Sequence, residues 1–332
     1  MNKSVVLHVE HLRTSFLIGK KKVVTAVDDI SFQLLKGEIL GIVGESGSGK
    51  SVTVRSLLRL LPANASVIAD SIMVNNMKVD GLSTSEYRKI RGRVFSMIFQ
   101  EPLTALNPTF TIGWQIREVF KFRQKKLRNS DIYKRTFDIL QRVRIPDIER
   151  RIKEYPHQFS GGMRQRGLIA IALASEPEIL IADEPTTALD VTVQADIMDL
   201  IEDLRRELNL SVILISHNLN LVLQRCDRVI VMYAGQIMEE AESEILLNNP
   251  SHPYTIGLLN SIPDISQPDI PLKSIPGDIK DMALNQVGCP FQYRCEMAMP
   301  VCNVQRPKLT EIEPGHFVAC HLVPSKEGNG DD

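Results

Sequence analysis

Gly44-Glu45-Ser46-Gly47-Ser48-Gly49-Lys50-Ser51 sets glycines, a lysine and a hydroxyl in the order of a phosphate loop. The glycines let backbone N–H groups turn inward around a polyphosphate. A following helix adds its N-terminal dipole, Lys50 neutralises the β- and γ-phosphates, and Ser51 can ligate Mg²⁺. Further along, Glu178-Ile179-Leu180-Ile181-Ala182-Asp183-Glu184 is an apolar run closed by two carboxylates. Strand alternation separates their tasks: Asp183 holds Mg²⁺ through its water shell, and Glu184 is the general base for the water that attacks the γ-phosphate. Alone, such a run is an ordinary buried strand; downstream of a phosphate loop it reads as catalytic.

Between the two lies Phe159-Ser160-Gly161-Gly162-Met163-Arg164-Gln165. A serine and two glycines opening a helix, expected at Gly162 to Ala174, make a second anion site from backbone N–H groups and a hydroxyl. The chain already has one phosphate loop, so this second site implies a nucleotide held by a partner. Near the C-terminus, Cys289, Cys295, Cys302 and Cys320 have the spacing C-x5-C-x6-C-x17-C. That departs from the short knuckles of most structural zinc sites. Four thiolates so spaced, with Pro290 adjacent, are compatible with a [4Fe–4S] cluster; zinc, or thiols or a disulfide without metal, stays open. Cys226, beside Asp227, reads as a small buried apolar residue.

These groups need a scaffold. Residues 5 to 43 are rich in Val, Ile and Phe, with turn breaks at Gly19 and Lys36-Gly37, which predicts a β-rich opening leading into the phosphate loop. Glu101 to Glu176 turns to charged, helix-like segments (113–126, 132–143, 162–174) broken by Pro102, Pro108 and Pro146, as in a helical insertion. Strand and helix signals then alternate, Ile179 to Asp183, Val193 to Leu208, Val212 to Ser216 and Arg228 to Tyr233, which implies a parallel sheet covered by helices. Pro263, Pro268, Pro271 and Pro276 mark a linker or irregular wrap before the cysteine segment. The last residues, VPSKEGNGDD, have the composition of a disordered tail.

The 332 residues suffice for one large core or two domains, and 43% hydrophobic with 24% charged residues is ordinary globular composition. Lys and Arg number 39 against 40 Asp and Glu, which supports neither a nucleic-acid footprint nor a polybasic membrane anchor. The opening MNKSVVLHVEHLRTSF alternates apolar and polar residues like a strand and lacks the apolar core of a secretory signal. With apolar runs only of buried-strand length, the chain is not expected to cross a bilayer, so membrane contact would pass through protein partners.

Through Phe159 to Gln165, lying between the phosphate loop and the carboxylate pair, the sequence resembles the ATP-binding-cassette family. Phe159 stands where the commonest signature has Leu, and Met163 where it has Gln. The resemblance covers roughly residues 5 to 255. It implies a P-loop NTPase of α/β class with a β-rich N-terminal subdomain, a parallel-sheet core, a helical insertion and a small irregular C-terminal extension. It also implies a head-to-tail dimer in which Ser160, Gly161 and Gly162 close over the partner's ATP. By the same carry-over, Gln100 reaches Mg²⁺ and the attacking water, His217 contacts the γ-phosphate, Ala188-Leu189-Asp190 communicates across the dimer, and Phe16 stacks on adenine.

Ser251-His252-Pro253-Tyr254-Thr255, the proline-rich stretch and Cys289-Pro290-Phe291-Gln292-Tyr293-Arg294-Cys295 resemble the C-terminal extension of bacterial dipeptide and oligopeptide importer ATPases. Gln100-Glu101-Pro102 with Leu106-Asn107-Pro108 fits the same branch. The implied division is a nucleotide-binding domain at 1–260 (helical part about 101–176), the extension with its cysteines at 261–322, and the tail at 323–332. The implied partners are a second ATPase, identical or not, two membrane permeases and an extracytoplasmic peptide-binding protein, with no nucleic acid. The implied place is the cytoplasmic face of the inner membrane. Import of nickel or a metallophore, a non-transport ATPase, and a metal-sensing regulator are the other readings.

Overall fold

The computed structural model describes residues 4–19, 21–123, 127–187, 189–262, 275–277 and 287–323. It divides into two compact units, Met1–Asp80 with Leu214–Asp332, and Gly81–Ile213.

In the first unit, β1 (Val5–Ile18) and β2 (Lys22–Leu35) form a long antiparallel pair running from Val5↔Leu35 to Ile18↔Lys22. The Gly19 and Lys36-Gly37 breaks fall at its ends, as the sequence predicts. β3 (Ile39–Val43) is buried at every position and delivers the chain into the phosphate loop, which opens helix α1 (Lys50–Leu57). β4 (Ala65–Ile68) and β5 (Ser71–Val74) return to pair with β1, and β6 (Met77–Lys78) pairs with β5.

The second unit starts with α2 (Thr84–Ile90), whose Ser83 and Glu86 make a reciprocal capping box that satisfies two orphan N–H groups. β7 (Phe95–Ile98) leads into the helical insertion: α3 (Pro102–Ala105), α4 (Ile112–Arg123), α5 (Asn129–Arg142), α6 (Ile148–Arg151), a 3-10 turn and α7 (Gly161–Leu173). Gly113 lets α4 lie against Ile152, where an added Cβ would meet the Ile152 carbonyl oxygen at 2.4 Å. β8 (Ile179–Asp183), buried at every position, pairs parallel with β7, Phe95↔Ile179 to Ile98↔Ala182. α8 (Val191–Leu208) follows, ending at the left-handed Asn209, and then comes β9 (Ser211–Ser216).

Back in the first unit, α9 (Leu219–Arg225) precedes β10 (Arg228–Tyr233), which pairs parallel with β3. Ala234 and Gly235, with φ of 45° and 82°, turn the chain tightly into the antiparallel β11 (Gln236–Glu242). α10 (Ser243–Asn248), α11 (Pro253–Asn260) and α12 (Pro300–Val304) come next.

The extension is less irregular than its sequence suggests. β12 (Thr310–Glu313) and β13 (His316–Val318) form a hairpin, and β13 adds antiparallel to β11 at Glu239↔Val318. A buried acid makes that edge: the Glu239 carboxylate accepts from Ser251 N (2.7 Å) and His252 N (3.1 Å), and the His316 ring lies 2.8 Å away. Glu239 is fully buried and His316 is 1% exposed, so the hydrogen bonds replace the water both groups lose. Pro263, Pro268 and Pro271, and all of the tail but Val323, lie outside the described residues.

Candidate functional site

The phosphate loop sits in the first unit between β3 and α1. Gly44, Gly47 and Gly49 have φ of 150°, 84° and 100°. Two of them allow close approach: a Cβ at Gly44 would meet the Met232 carbonyl oxygen at 2.1 Å, and one at Gly49 the Ala26 carbonyl oxygen at 2.5 Å. A Cβ at Gly47 would meet nothing within 4 Å. Gly47 therefore faces open space. Gly49 is the N-cap of α1 and has no side chain to offer the first-turn N–H groups, which leaves them suited to an anion. Lys50, 5% exposed, folds back to donate to Gly44 O (2.7 Å) and Glu45 O (2.9 Å). Ser51 begins α1 beside it, and Ser46 and Ser48 lie in the loop.

Phe16 lies half-buried on β1, paired with Val24 and Ala65. His217 is exposed directly after β9, followed by Asn218, which caps α9 by accepting from Leu221 N.

In the second unit Asp183 ends β8 fully buried, and Glu184 follows in the left-handed region at φ 48°. Its carboxylate Oε2 accepts from Gln100 Nε2 at 2.8 Å and from Thr187 Oγ1 at 2.9 Å. The structure thus joins two predicted residues, Gln100 and Glu184, and adds Thr187, which carried no distinguishing signal in sequence. Ser160 is the N-cap of α7 and accepts from Met163 N at 3.3 Å; the helix begins at Gly161, one residue before the expected start. Ser160 and Gly161 are exposed and Gly162 is half-buried. A Cβ at Gly162 would lie 2.7 Å from a Val193 methyl, so glycine there serves α7–α8 packing as well. Asp190 caps α8 through Val193 N, while Ala188 lies outside the described residues.

Cys289, Cys295, Cys302 and Cys320 line one small cavity. The expected metal centre is not preformed: among the described residues no group of three His, Cys, Asp or Glu side chains is set to hold a metal ion. Burial pushes the Cys289 thiol up to about 11 and raises Cys295 and Cys320 too. Cys226 is buried, as expected, with its thiol raised chiefly by burial.

Arg294 received no role from sequence. Its guanidinium donates to both carboxylate oxygens of Glu45, at 2.8 and 3.1 Å, and Tyr254 Oη accepts from Glu45 N at 3.0 Å. A lone arginine in a turn bounded by cysteines was the available signal, but its acceptor is 249 positions away.

Residues 27–187 match the family described as ABC transporter, and residues 238–302 match the oligopeptide/dipeptide transporter C-terminal region. The oligopeptide transport ATP-binding protein OppD of Escherichia coli (strain K12) is 45% identical over 315 residues, 95% of this chain and 92% of its own. The oligopeptide transport ATP-binding protein AppD of Bacillus subtilis (strain 168) is 45% identical over 320 residues, 96% and 97%. A solved structure, the ATP-binding cassette MJ0796 in a dimeric post-hydrolysis state bound to ADP and Pi, is similar with a TM-score of 0.63 at 27% identity. It covers 71% of this chain and 98% of that one. Among the described residues no helix is long and apolar enough to cross a membrane.

Proposed function

The chain belongs to the ABC transporter family, with the C-terminal region of its oligopeptide and dipeptide branch, and on that premise we propose that it hydrolyses ATP to energise peptide import through separate membrane permeases. The observation that carries the reading is the coexistence in one chain of a phosphate loop and an exposed Ser160–Gly161 helix start, two anion sites of which a single nucleotide needs one. The second serves a partner ATPase, identical or paralogous.

In this reading Gly44, Ser46, Gly47, Ser48, Gly49 and Lys50 cradle the phosphates, and Phe16 stacks on adenine. Ser51, Asp183 and Gln100 would hold Mg²⁺ through hard oxygen donors, and the bound ion would supply charge neutralisation for the phosphates. Glu184, aimed by Gln100 and Thr187, takes a proton from water as its oxygen attacks the γ-phosphorus. The bond from that phosphorus to the bridging oxygen breaks, leaving ADP and phosphate, and His217 steadies the γ-phosphate. Ser160, Gly161 and Gly162 close on the partner's ATP, and closing and reopening of the pair drives the permeases, with an extracytoplasmic protein delivering the peptide. That assembly places the chain at the cytoplasmic face of the inner membrane.

We further propose that the four cysteines hold a [4Fe–4S] cluster, with zinc as the alternative. What supports it is that all four cysteines line one small cavity, although among the described residues they are not set to hold a metal ion. A cluster there would tie the extension together without redox work. The test of the whole reading is reconstitution: with permeases and binding protein in vesicles, ATP hydrolysis should rise on adding peptide. A chain that neither co-purifies with membrane subunits nor responds to peptide removes the import assignment.

A further inference from the structure

Glu45, the second residue of the phosphate loop, is held from outside that loop. Its carboxylate takes both terminal nitrogens of Arg294, a forked pairing only a guanidinium can make, and its N–H donates to Tyr254 Oη. Arg294 is itself fixed: its side chain is 3% exposed, it donates from Nε to Pro276 O at 2.7 Å and from a terminal nitrogen to Ile275 O at 3.2 Å, and it lies over the Tyr233 ring at 5.6 Å. Phe291, from the same Cys289–Cys295 turn, packs on Tyr233 and Tyr254 with ring centroids 5.2 Å apart in each case.

Within the loop, the Glu45 carbonyl accepts from Ser48 N at 3.2 Å and from Lys50, which also holds Gly44 O. A nucleotide that draws the lysine toward its phosphates removes the lysine's part of that hold and leaves only the longer Ser48 bond. Arg294 and Tyr254 do not depend on Lys50, so they can keep the loop in shape while the lysine changes partners. A loop ordered beforehand binds more tightly because less ordering remains to be done on binding.

We propose that Arg294 is a positioning residue for the phosphate loop, acting through Glu45, so that the turn between Cys289 and Cys295 sets nucleotide affinity. This rests on the ATP reading above. The test is titration of a fluorescent ADP analogue, with Mg²⁺, into the full chain and its Arg294→Gln, Arg294→Lys, Glu45→Gln, Tyr254→Phe and Arg294→Gln/Glu45→Gln variants, with thermal melts of each.

Arg294→Gln and Glu45→Gln should each weaken binding about tenfold, the scale of one lost charge-assisted contact, and the double variant should match either single. Arg294→Lys should fall between them and wild type, since it keeps the charge and loses the fork. A merely structural Arg294 would lower the melting temperature and leave the affinity of folded protein unchanged; that result overturns the proposal, as do losses that multiply in the double variant. Should Arg294→Gln not fold, Glu45→Gln and Tyr254→Phe decide, and binding as wild type in both overturns it. A wild-type chain that binds no nucleotide sinks the ATP reading and this one together, whereas equal binding in all variants sinks this one alone.

Discussion

The side-chain amide of Gln100 donates a 2.8 Å hydrogen bond to the carboxylate of Glu184. Gln100 follows β7 and opens the way into the helical insertion, while Glu184 stands just past β8, paired to β7 in parallel register. The bond therefore ties the candidate base to the segment from which the helices start. A shift of that segment re-aims the carboxylate, a short physical route from the insertion to the chemistry.

Glu184→Gln should keep nucleotide binding and lower phosphate release at least about 100-fold, the scale of losing a positioned general base. The amide can still bond to Gln100 and Thr187 but cannot take a proton from water. Single-turnover phosphate release at wild-type speed would remove the base assignment.

Gly47 and Gly49 should separate binding from folding. Gly49→Ala puts a Cβ 2.5 Å from the Ala26 carbonyl oxygen at φ 100°, so its melting temperature should fall clearly without ligand. Gly47→Ala meets no neighbour and carries only the left-handed strain of φ 84°, about 1 kcal/mol. It should fold nearly as wild type yet lose most of the melting-temperature rise that Mg-ADP gives wild type, because the new methyl enters the space the phosphates need. Equal behaviour of the two variants in both measurements would contradict this division.

Anaerobically purified chain should be brown and contain about four irons and four inorganic sulfides. Cys302→Ser should lose colour and iron together and melt lower, since a cluster stabilises only the folded extension. Colourless protein free of iron, with or without zinc, would exclude the cluster.

What was legible in sequence was local. Gly19 and Lys36-Gly37 punctuate alternating runs, and β1 and β2 end where they fall. The phosphate loop, the β8 carboxylates and the α7 serine each combine a short motif with its adjoining element, so their placement follows from the chain alone. The α7 start differs by one residue because Ser160 caps the helix and Gly161 already belongs to it. Hidden was whatever depends on distant partners. Arg294 finds Glu45 249 positions away, and β13, three residues long, is too short to announce a strand, being fixed instead by the His316–Glu239 contact. Gly162 reads as an anion-binding glycine, and only the structure shows Val193 pressing on it.

Glu240 should make stability depend on pH. It lies 6% exposed on β11, and burial raises its carboxyl from 4.5 to about 7. Burial is the largest influence; Arg228, 3.4 Å away, favours the charged form but is outweighed by burial, which Glu38 reinforces. Because the folded-state value lies above the unfolded one, the fold binds the proton more tightly. That contribution is fully present below about pH 4.5 and is lost as pH rises through about 7, beyond which a charged carboxylate stays buried at constant cost. Glu240→Gln is neutral throughout. Its melting temperature relative to wild type should therefore rise between about pH 5 and about pH 8, with the variant the more stable at the upper end. A difference that stays flat, or a variant less stable at the upper end, would mean that Arg228 rather than burial governs this carboxylate.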